Sequence, residues 1–383
     1  MKKLRYGIIG VGRQGKVYVK FLLEGKVENA VVAAVCDIDP EVKKFVKKNY
    51  PNIPFYEDYR DLVKSGYVDA IITTVPHYFH TEMGIYAIEN GVNVLGEKPA
   101  GVYTKQVEEL NKVAKENPNI KYGIMFNQRM NPLYQKLKEI VENGDIGEIR
   151  RTNWIITTWW RPQSYYNQSE WRATWKGEGG GVLVNQAPHQ LDLFQWICGM
   201  PIKVYAKAKE GFQRDISVED DVTALFEYEN GAIGTFITCT HDILGTDRLE
   251  IHGDKGKIIV ENSSKAIIKR LYKKEQELNN EMTMSELQQL ISGGKLDLIY
   301  NEEIIEMPDQ WGVQHCLVME NFANHILNGE DLIADGVEGI KSVTLANAIQ
   351  LSSWLGEEIT IPFDENLFFQ KLQEKIESEK HSK

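Results

Sequence analysis

Lys98 and His189 are the residues of this chain best suited to moving protons, and each sits in a distinctive setting. Lys98 lies in Gly96-Glu97-Lys98-Pro99, well downstream of the glycine turn Gly10-Val-Gly12-Arg13-Gln14-Gly15. Taken together, that lysine and that turn point to redox chemistry on a nicotinamide cofactor; neither does so alone. His189 lies in Gly179-Gly-Gly-Val-Leu-Val-Asn185-Gln-Ala-Pro188-His189-Gln-Leu-Asp192. Oxidising an alcohol needs a base for the hydroxyl proton as hydride leaves the carbon, and a neutral imidazole has a suitable pKa. If this segment is helical, Asn185, His189 and Asp192 share one face of an otherwise apolar helix. Pro188 either starts that helix or kinks it, so Asn185 can precede the regular turns. The competing account of His189 is a core histidine whose polar needs are met.

The elements that must position these groups begin with the glycine turn. A short apolar run ending at Gly10 precedes it, and the helical pattern Val17, Phe21, Leu22 follows. In such a turn the first glycine permits the bend, the second lets a pyrophosphate approach, and the third lets the helix pack on the strand. The N–H groups at the helix start then face the anion. A second apolar strand, Val31 to Cys36, ends at Asp37, where a carboxylate accepts bonds from adenosine ribose hydroxyls and repels a 2′-phosphate. NAD is therefore favoured over NADP. Asp37-Ile38-Asp39-Pro40 also reads as a helix start, and Asp39 can cap while Asp37 binds.

The first third alternates strand-like and helical runs: Ala70 to Val75, Met83 to Glu89, Val92 to Leu95, Val107 to Ala114, Ile120 to Met125. Such alternation implies βαβ units and a parallel sheet, whose ligands sit at the carboxyl ends of the strands. The expected cofactor contacts along that edge are Gly10, Gly12, Arg13, Gln14, Gly15, Asp37, Ile38, Thr74, Pro76, His80, Glu97, Lys98 and Asn127, with Arg172 added from beyond it. Past Asn127 the pattern changes. One helix over 132–143 is followed by strand pairs such as Thr223 to Glu229 and Ala232 to Thr240 around Asn230-Gly231, a strong hairpin signal, and Arg248 to His252 with Lys257 to Glu261. The expected fold is α/β: an N-terminal Rossmann parallel sheet over 1–126 and, over 127–383, an α+β domain with a large open, mostly antiparallel sheet. Residues 264–310, rich in Lys and Glu, read as a peripheral segment with one short helix capped by Thr283 and Glu286 and stopped by Gly293.

At 383 residues, with 42% hydrophobic and 26% charged residues, the chain is of two-domain globular type. A net charge of −11 argues against nucleic acid or an anionic membrane as partner. Cys36, Cys198, Cys239 and Cys316 are far apart with no CxxC pair, the pattern of buried free thiols in a reducing cytoplasm, and no metal is expected. Met1-Lys-Lys-Leu could suggest a secretory leader, but Gly7, Gly10, Gly12 and Arg13 interrupt any apolar core there, and no run is long enough to span a membrane.

Five of the eight tryptophans, Trp154, Trp159, Trp160, Trp171 and Trp175, crowd one stretch together with Tyr165, Tyr166, Arg161 and Arg172. Aromatic faces pack on the C–H faces of sugar rings while Arg and Asn reach hydroxyls, so a sugar or cyclitol is the natural ligand; core packing or an oligomer contact competes. The expected substrate contacts are Lys98, Trp160, Tyr165, Arg172, Asn185, His189 and His315, the last following Trp311-Gly-Val-Gln314.

These motifs resemble those of the Gfo/Idh/MocA oxidoreductases, named for glucose-fructose oxidoreductase and inositol dehydrogenase. The likeness runs over nearly the whole chain. It rests on Gly10-x-Gly12-x-x-Gly15, Pro76-x-x-x-His80, Glu97-Lys98-Pro99, Asn127-x-Arg129, the glycine triplet leading to His189, and Asp335-Gly-x-Glu338-Gly-x-x-Ser342. The resemblance implies bound NAD or NADP, an open sheet used for substrate binding and oligomer contacts, and a homodimer or homotetramer. It implies that Lys98 hydrogen-bonds the reacting hydroxyl near the nicotinamide and that His189 is the acid/base. Many members carry Asp where this chain has Asn185. A neutral amide would not hold a nearby ammonium charged as a carboxylate does, so the Lys98 pKa would fall and Lys98 would share in proton transfer. The leading expectation is an NAD-dependent dehydrogenase oxidising a ring secondary alcohol of a sugar, glycoside or inositol. Its alternatives are a glycoside-cleaving enzyme that only borrows hydride for an elimination, and a non-catalytic NAD or sugar sensor.

Overall fold

The computed structural model describes residues 2–294, 296–307 and 312–381. Its first sheet is built from β1 (Leu4–Ile9), β2 (Ala30–Cys36), β3 (Phe55–Tyr56), β4 (Ala70–Thr73), β5 (Asn93–Gly96) and β6 (Tyr122–Ile124). All pairs are parallel, in the order β3-β2-β1-β4-β5-β6. Strands of this kind are covered on both faces, so they read as continuous apolar runs; every residue of β4 is buried. The order reverses between β1 and β4, which opens a crevice at their carboxyl ends. Gly10 and Thr74 lie there, one residue past each strand, and helix Arg13–Leu23 starts beside them.

The second sheet comprises β7 (Ile149–Ile156), β8 (Lys203–Glu210), β9 (Glu219–Glu227), β10 (Ile233–Cys239), β11 (Asp247–Gly253), β12 (Gly256–Glu261), β13 (Lys265–Leu271), β14 (Tyr300–Glu306) and β15 (Ile359–Thr360). Its order is β14-β13-β12-β11-β7-β10-β9-β8-β15, antiparallel except for β7 with β10. The two hairpins expected from sequence are β9–β10 and β11–β12. Alternate residues point to one face, where Trp154, Phe226 and Phe236 form a core with Phe194 of helix Pro188–Cys198, with helix Gly339–Leu355 beside it. The other face is open and carries exposed Tyr205, Leu225 and Ile233.

The 264–310 stretch departs from its sequence reading. It is not merely peripheral: β13 and β14 extend the sheet by two strands, and the helix capped by the Thr283–Glu286 box lies between them together with a preceding helix, Glu275–Glu281. The Lys and Glu residues that disguised these strands pair across the ladder, Lys265 with Glu306 at 3.1 Å, Lys269 with Glu302 at 3.1 Å and Arg270 with Glu303 at 2.8 Å. Charges of this kind also blunt a sheet edge against unwanted pairing.

After β14 the chain returns to the first sheet. Helix Val313–Asn328 buries Cys316, Val318, Met319 and Phe322 in its core, and the Met319 carbonyl accepts a bond from the Tyr6 hydroxyl at 2.8 Å. Helix Gly339–Leu355 then spans both sheets: Val343 packs with Ala100 and Phe126, while Leu345 and Ile349 join the second core. Asn347 on this helix holds the backbone of Val102 and Thr104 at 3.0 and 3.1 Å. Among the described residues no helix is long and apolar enough to cross a membrane.

Candidate active site

The glycine turn is closed on its protein side and open on the other. Gly10 has φ +86°, and a Cβ there would meet the Thr74 carbonyl oxygen at 2.5 Å; a Cβ at Gly15 would lie 2.0 Å from the Gly10 oxygen. At Gly12 a Cβ would meet nothing within 4 Å. Gly12 is the N-cap of helix Arg13–Leu23 and makes no side-chain cap, so the helix's first N–H groups, those of Arg13 and Gln14 among them, adjoin that open space. Asp37 is pinned beside the turn, its carboxylate accepting from Val11 N–H at 2.7 Å and Asp39 N–H at 2.9 Å. Asp39 separately caps helix Pro40–Asn49 through Glu41 N–H, so the cap does not draw on the Asp37 carboxylate. Ile38 is 89% exposed between them. Thr74 donates to the carbonyls of Ile9 and Gly10 and so locks β4 to the turn, just ahead of Pro76. A steric cradle, free helix-start donors and a fixed carboxylate are what a dinucleotide requires, and these residues fit one.

Other residues on this edge are placed differently from one another. His80 is buried with both ring nitrogens spent on backbone carbonyls, of Pro99 and Val75, each at 2.8 Å; it braces the two loops instead of facing the crevice. Glu97 is buried, accepts the Tyr18 hydroxyl, and is pushed by burial up to about 7. Asn127, in the short turn Asn127–Met130, has a buried side-chain oxygen with no partner in the protein.

Beyond β5, Lys98 Nζ donates to the backbone carbonyl of Asn185 at 2.8 Å. Burial lowers its pKa; the carboxylates of Glu97 and Glu178 work against that, and Arg172 and Arg161 add to it. His189 sits in the first turn of helix Pro188–Cys198, edge-on to Phe126, and is held well below the usual imidazole range by burial, Lys98 and His315. Its Nδ1 is buried without a hydrogen-bond partner, which a core histidine with its polar needs met would have. His315 comes from the returning helix Val313–Asn328, 6.0 Å from the Tyr18 ring, and burial and Lys98 push it down to about 4. Trp311, just before it, lies outside the described residues. The Lys98 ammonium thus lies near enough to both imidazoles, which come from two other distant segments, to lower the pKa of each.

The expected shared helix face of Asn185, His189 and Asp192 does not form. The helix begins at Pro188, and Asn185 lies in the preceding turn, its N–H bonded to Gly181 O at 3.0 Å. Asp192 faces inward, where both its oxygens accept from the fully buried Arg129, at 2.8 and 2.7 Å; Arg129 also reaches Glu338 and the Ile333 carbonyl. This buried cluster ties the exit of the first domain to the helix that carries His189, and to the Asp335–Glu338 turn.

Glu178, missed by the sequence reading, is the centre of a second network. Its side chain is 1% exposed, burial pushes it up to about 7, and it accepts from Ala173 N–H and from the Asn185 amide. Arg172 stands 3.6 Å away, donates to the Tyr165 hydroxyl at 2.7 Å, and lies over the Tyr165 and Trp171 rings. The available signal was an acid enclosed by Gly177 and Gly179, where missing side chains mark crowded backbone. The tryptophans divide. Trp154 and Trp175 are core, Trp159 packs partly buried on that core, Trp171 adjoins His77 and Arg172, and Trp160 is 37% exposed beside Arg161, whose guanidinium lies 5.2 Å from the Tyr165 ring. Elsewhere, Asp221, Cys239 and His241 bring possible metal-ligand atoms within 4.8 Å of one another, and His241 already bonds Asp221 at 2.8 Å.

Comparison with known proteins matches residues 4–125 to the description "Oxidoreductase family, NAD-binding Rossmann fold" and residues 134–259 to "GFO/IDH/MocA C-terminal domain". The chain is 26% identical to the uncharacterized oxidoreductase YrbE of Bacillus subtilis, over 96% of this chain and 99% of that one. It is 26% identical to the myo-inositol 2-dehydrogenase of Thermotoga maritima, over 68% and 75%. Among solved structures, myo-inositol 2-dehydrogenase from Lactobacillus plantarum superposes with a TM-score of 0.73 at 26% identity, covering 94% of this chain and 100% of that one.

Proposed function

This chain belongs to the Gfo/Idh/MocA family of oxidoreductases, and from that premise we propose that it is an NAD-dependent dehydrogenase oxidising a ring secondary alcohol of a sugar, glycoside or inositol to the ketone. The observation that carries the reading is that Lys98, just past β5, donates to the Asn185 carbonyl at 2.8 Å, four residues before His189, whose Nδ1 is buried without a partner at the start of its helix. The myo-inositol 2-dehydrogenases among its relatives favour a cyclitol or sugar over an open-chain alcohol.

The nicotinamide supplies the hydride acceptor when bound. Lys98 spends one N–H on Asn185 O and has others to hold the substrate oxygen as charge grows on it. His189, depressed enough to be neutral at pH 7, takes the hydroxyl proton on its ring. Asn185 acts through its carbonyl, and Trp160, Tyr165, Arg172 and His315 form the wall for the ring. Residues 1–126 hold the cofactor, with Asp37 disfavouring a 2′-phosphate, while 127–383 hold the substrate. Copies associate through the open sheet face around Tyr205, Leu225 and Ile233, whose exposed apolar side chains support a homodimer or homotetramer.

Incubation with NAD and a panel of sugars, glycosides and inositols, followed by reduced-nicotinamide absorbance, tests the reading. A substrate-dependent rise lost in Lys98→Ala is expected. Absence of signal with every ring alcohol overturns it, and release of an aglycone without net NAD consumption replaces it with elimination chemistry.

A further inference from the structure

Lys98 needs a counter-charge, and its surroundings are mostly hostile to an ammonium. Arg172 and Arg161 repel it, and the nearby His77, His80, His189 and His315 offer no negative charge. Of the two carboxylates that favour the ammonium, Glu97 is bonded to the Tyr18 hydroxyl and the Lys98 backbone N–H, so only Glu178 is tied to the group the ammonium touches. The oxygen it touches belongs to Asn185, whose side chain is neutral.

We infer that Glu178 is the positioning residue for Lys98: its buried carboxylate grips the Asn185 amide, holds the Asn185 carbonyl against the ammonium, and supplies the negative charge that this carbonyl lacks. The contacts leave the carboxylate little freedom. One oxygen accepts from Ala173 N–H, the other from Asn185 Nδ2, and Arg172 Nη1 lies 3.6 Å off. The Glu178 carbonyl is itself engaged by His77 Nδ1 at 3.1 Å, and a Cβ on the next residue, Gly179, would fall 2.2 Å from Val102. The backbone is therefore hemmed in on both sides of the acid. The pair is chemically matched: an amide at 185 can donate to a carboxylate at 178, whereas an aspartate there would oppose it as a second anion and force one of the two to take up a proton.

The inference rests on the dehydrogenase reading only for its kinetic arm. In cofactor-free protein, the pH dependence of Lys98 acylation, read by mass spectrometry of the Lys98 peptide, reports how firmly the ammonium is held. Glu178→Gln is expected to lower the half-labelling pH of Lys98 by about one unit. The double variant Glu178→Gln/Asn185→Asp restores one carboxylate and one amide to the pair and is expected to bring that pH back to within about half a unit of the parent. With substrate, Glu178→Gln lowers kcat roughly tenfold, the double variant recovers most of it, and the NADH dissociation constant stays unchanged in both. If Glu178→Gln fails to fold, comparison of the double variant with the parent carries the test. An unmoved half-labelling pH in Glu178→Gln, or a folded double variant that remains displaced, overturns the inference. A shift and recovery as stated in a protein that oxidises no polyol upholds it while refuting the dehydrogenase reading.

Discussion

Gly12→Ala separates a role in cofactor binding from a role in folding, because the structure leaves space at Gly12 that no protein atom uses. Its φ of −72° is not left-handed, and an added methyl group meets no atom within 4 Å. An alanine N-cap is poorer than glycine by up to about 1 kcal/mol, and the stiffer unfolded chain returns roughly 0.4–1 kcal/mol. The net change in stability is near zero. For 383 residues the unfolding entropy is about 0.8 kcal/mol/K, so the melting temperature should move by about 1 °C or less. Binding should suffer far more. A methyl group in the path of a pyrophosphate removes at least two charge-assisted hydrogen bonds to the helix start, each worth about 1.5–3 kcal/mol, which weakens NADH by roughly 150-fold or more. Gly15→Ala is the contrast: its Cβ would lie 2.0 Å from the Gly10 oxygen, and overpacking of that kind costs about 1–3 kcal/mol or more of stability. Thermal unfolding and titration of tryptophan fluorescence with NADH read the two effects. A Gly12→Ala protein that melts normally and binds NADH with parental affinity refutes the assignment of this turn to the cofactor.

Asp192→Asn leaves Arg129 buried with only Glu338 as a charged partner, so unfolding measurements should register a loss of about 3 kcal/mol, or about 4 °C in melting temperature; a change under about 1 °C would mean that the pair does not hold the His189 helix. His315, at about 4 when folded and near 6.5 when unfolded, binds its proton more tightly in the unfolded chain, so stability falls as pH drops through that window. Between pH 7 and 5 the loss is roughly 2 kcal/mol, and denaturant titrations of His315→Gln should recover it; an equal pH dependence in both proteins contradicts this. With His189 held below its ordinary value, the acid limb of kcat/KM should lie under pH 6.5, and a limb at or above that value argues against His189 as the base. Asp37→Ala should raise the NADP-to-NAD ratio of kcat/KM by roughly tenfold or more, as expected when a carboxylate facing the 2′-phosphate is removed; an unchanged ratio places the cofactor's ribose elsewhere.

What the sequence by itself determined is whatever depends on neighbours in the chain. The glycine turn is legible because Gly10 and Gly15 crowd each other across a single bend, and Asp37 and Asp39 are legible because strand end and helix cap lie two residues apart. The β9–β10 hairpin follows from Asn230-Gly231 for the same reason. The parallel character of the first sheet and the place of Lys98 just past a strand end follow from the alternation of apolar and helical runs, whereas the strand order came only with the fold. Tertiary structure alone decided which buried charges meet. Asp192 looks like a partner for His189 at helical spacing, yet its charge is claimed by Arg129, sixty-three positions earlier, because a guanidinium sealed in the interior must have a carboxylate on it. Glu178 carries in the sequence only the faint mark of its flanking glycines, and its partners become visible only when the fold closes Arg172, Asn185 and Lys98 around it. His315 reaches the site on a helix that the second domain sends back to the first, and Trp154 and Trp175 fall to the core while Trp160 stays outside, since their spacing along the chain says nothing about which face of the sheet each will meet. Short-range rules act through one turn or one hairpin; desolvated charges and packed rings are settled by whatever the whole chain brings against them.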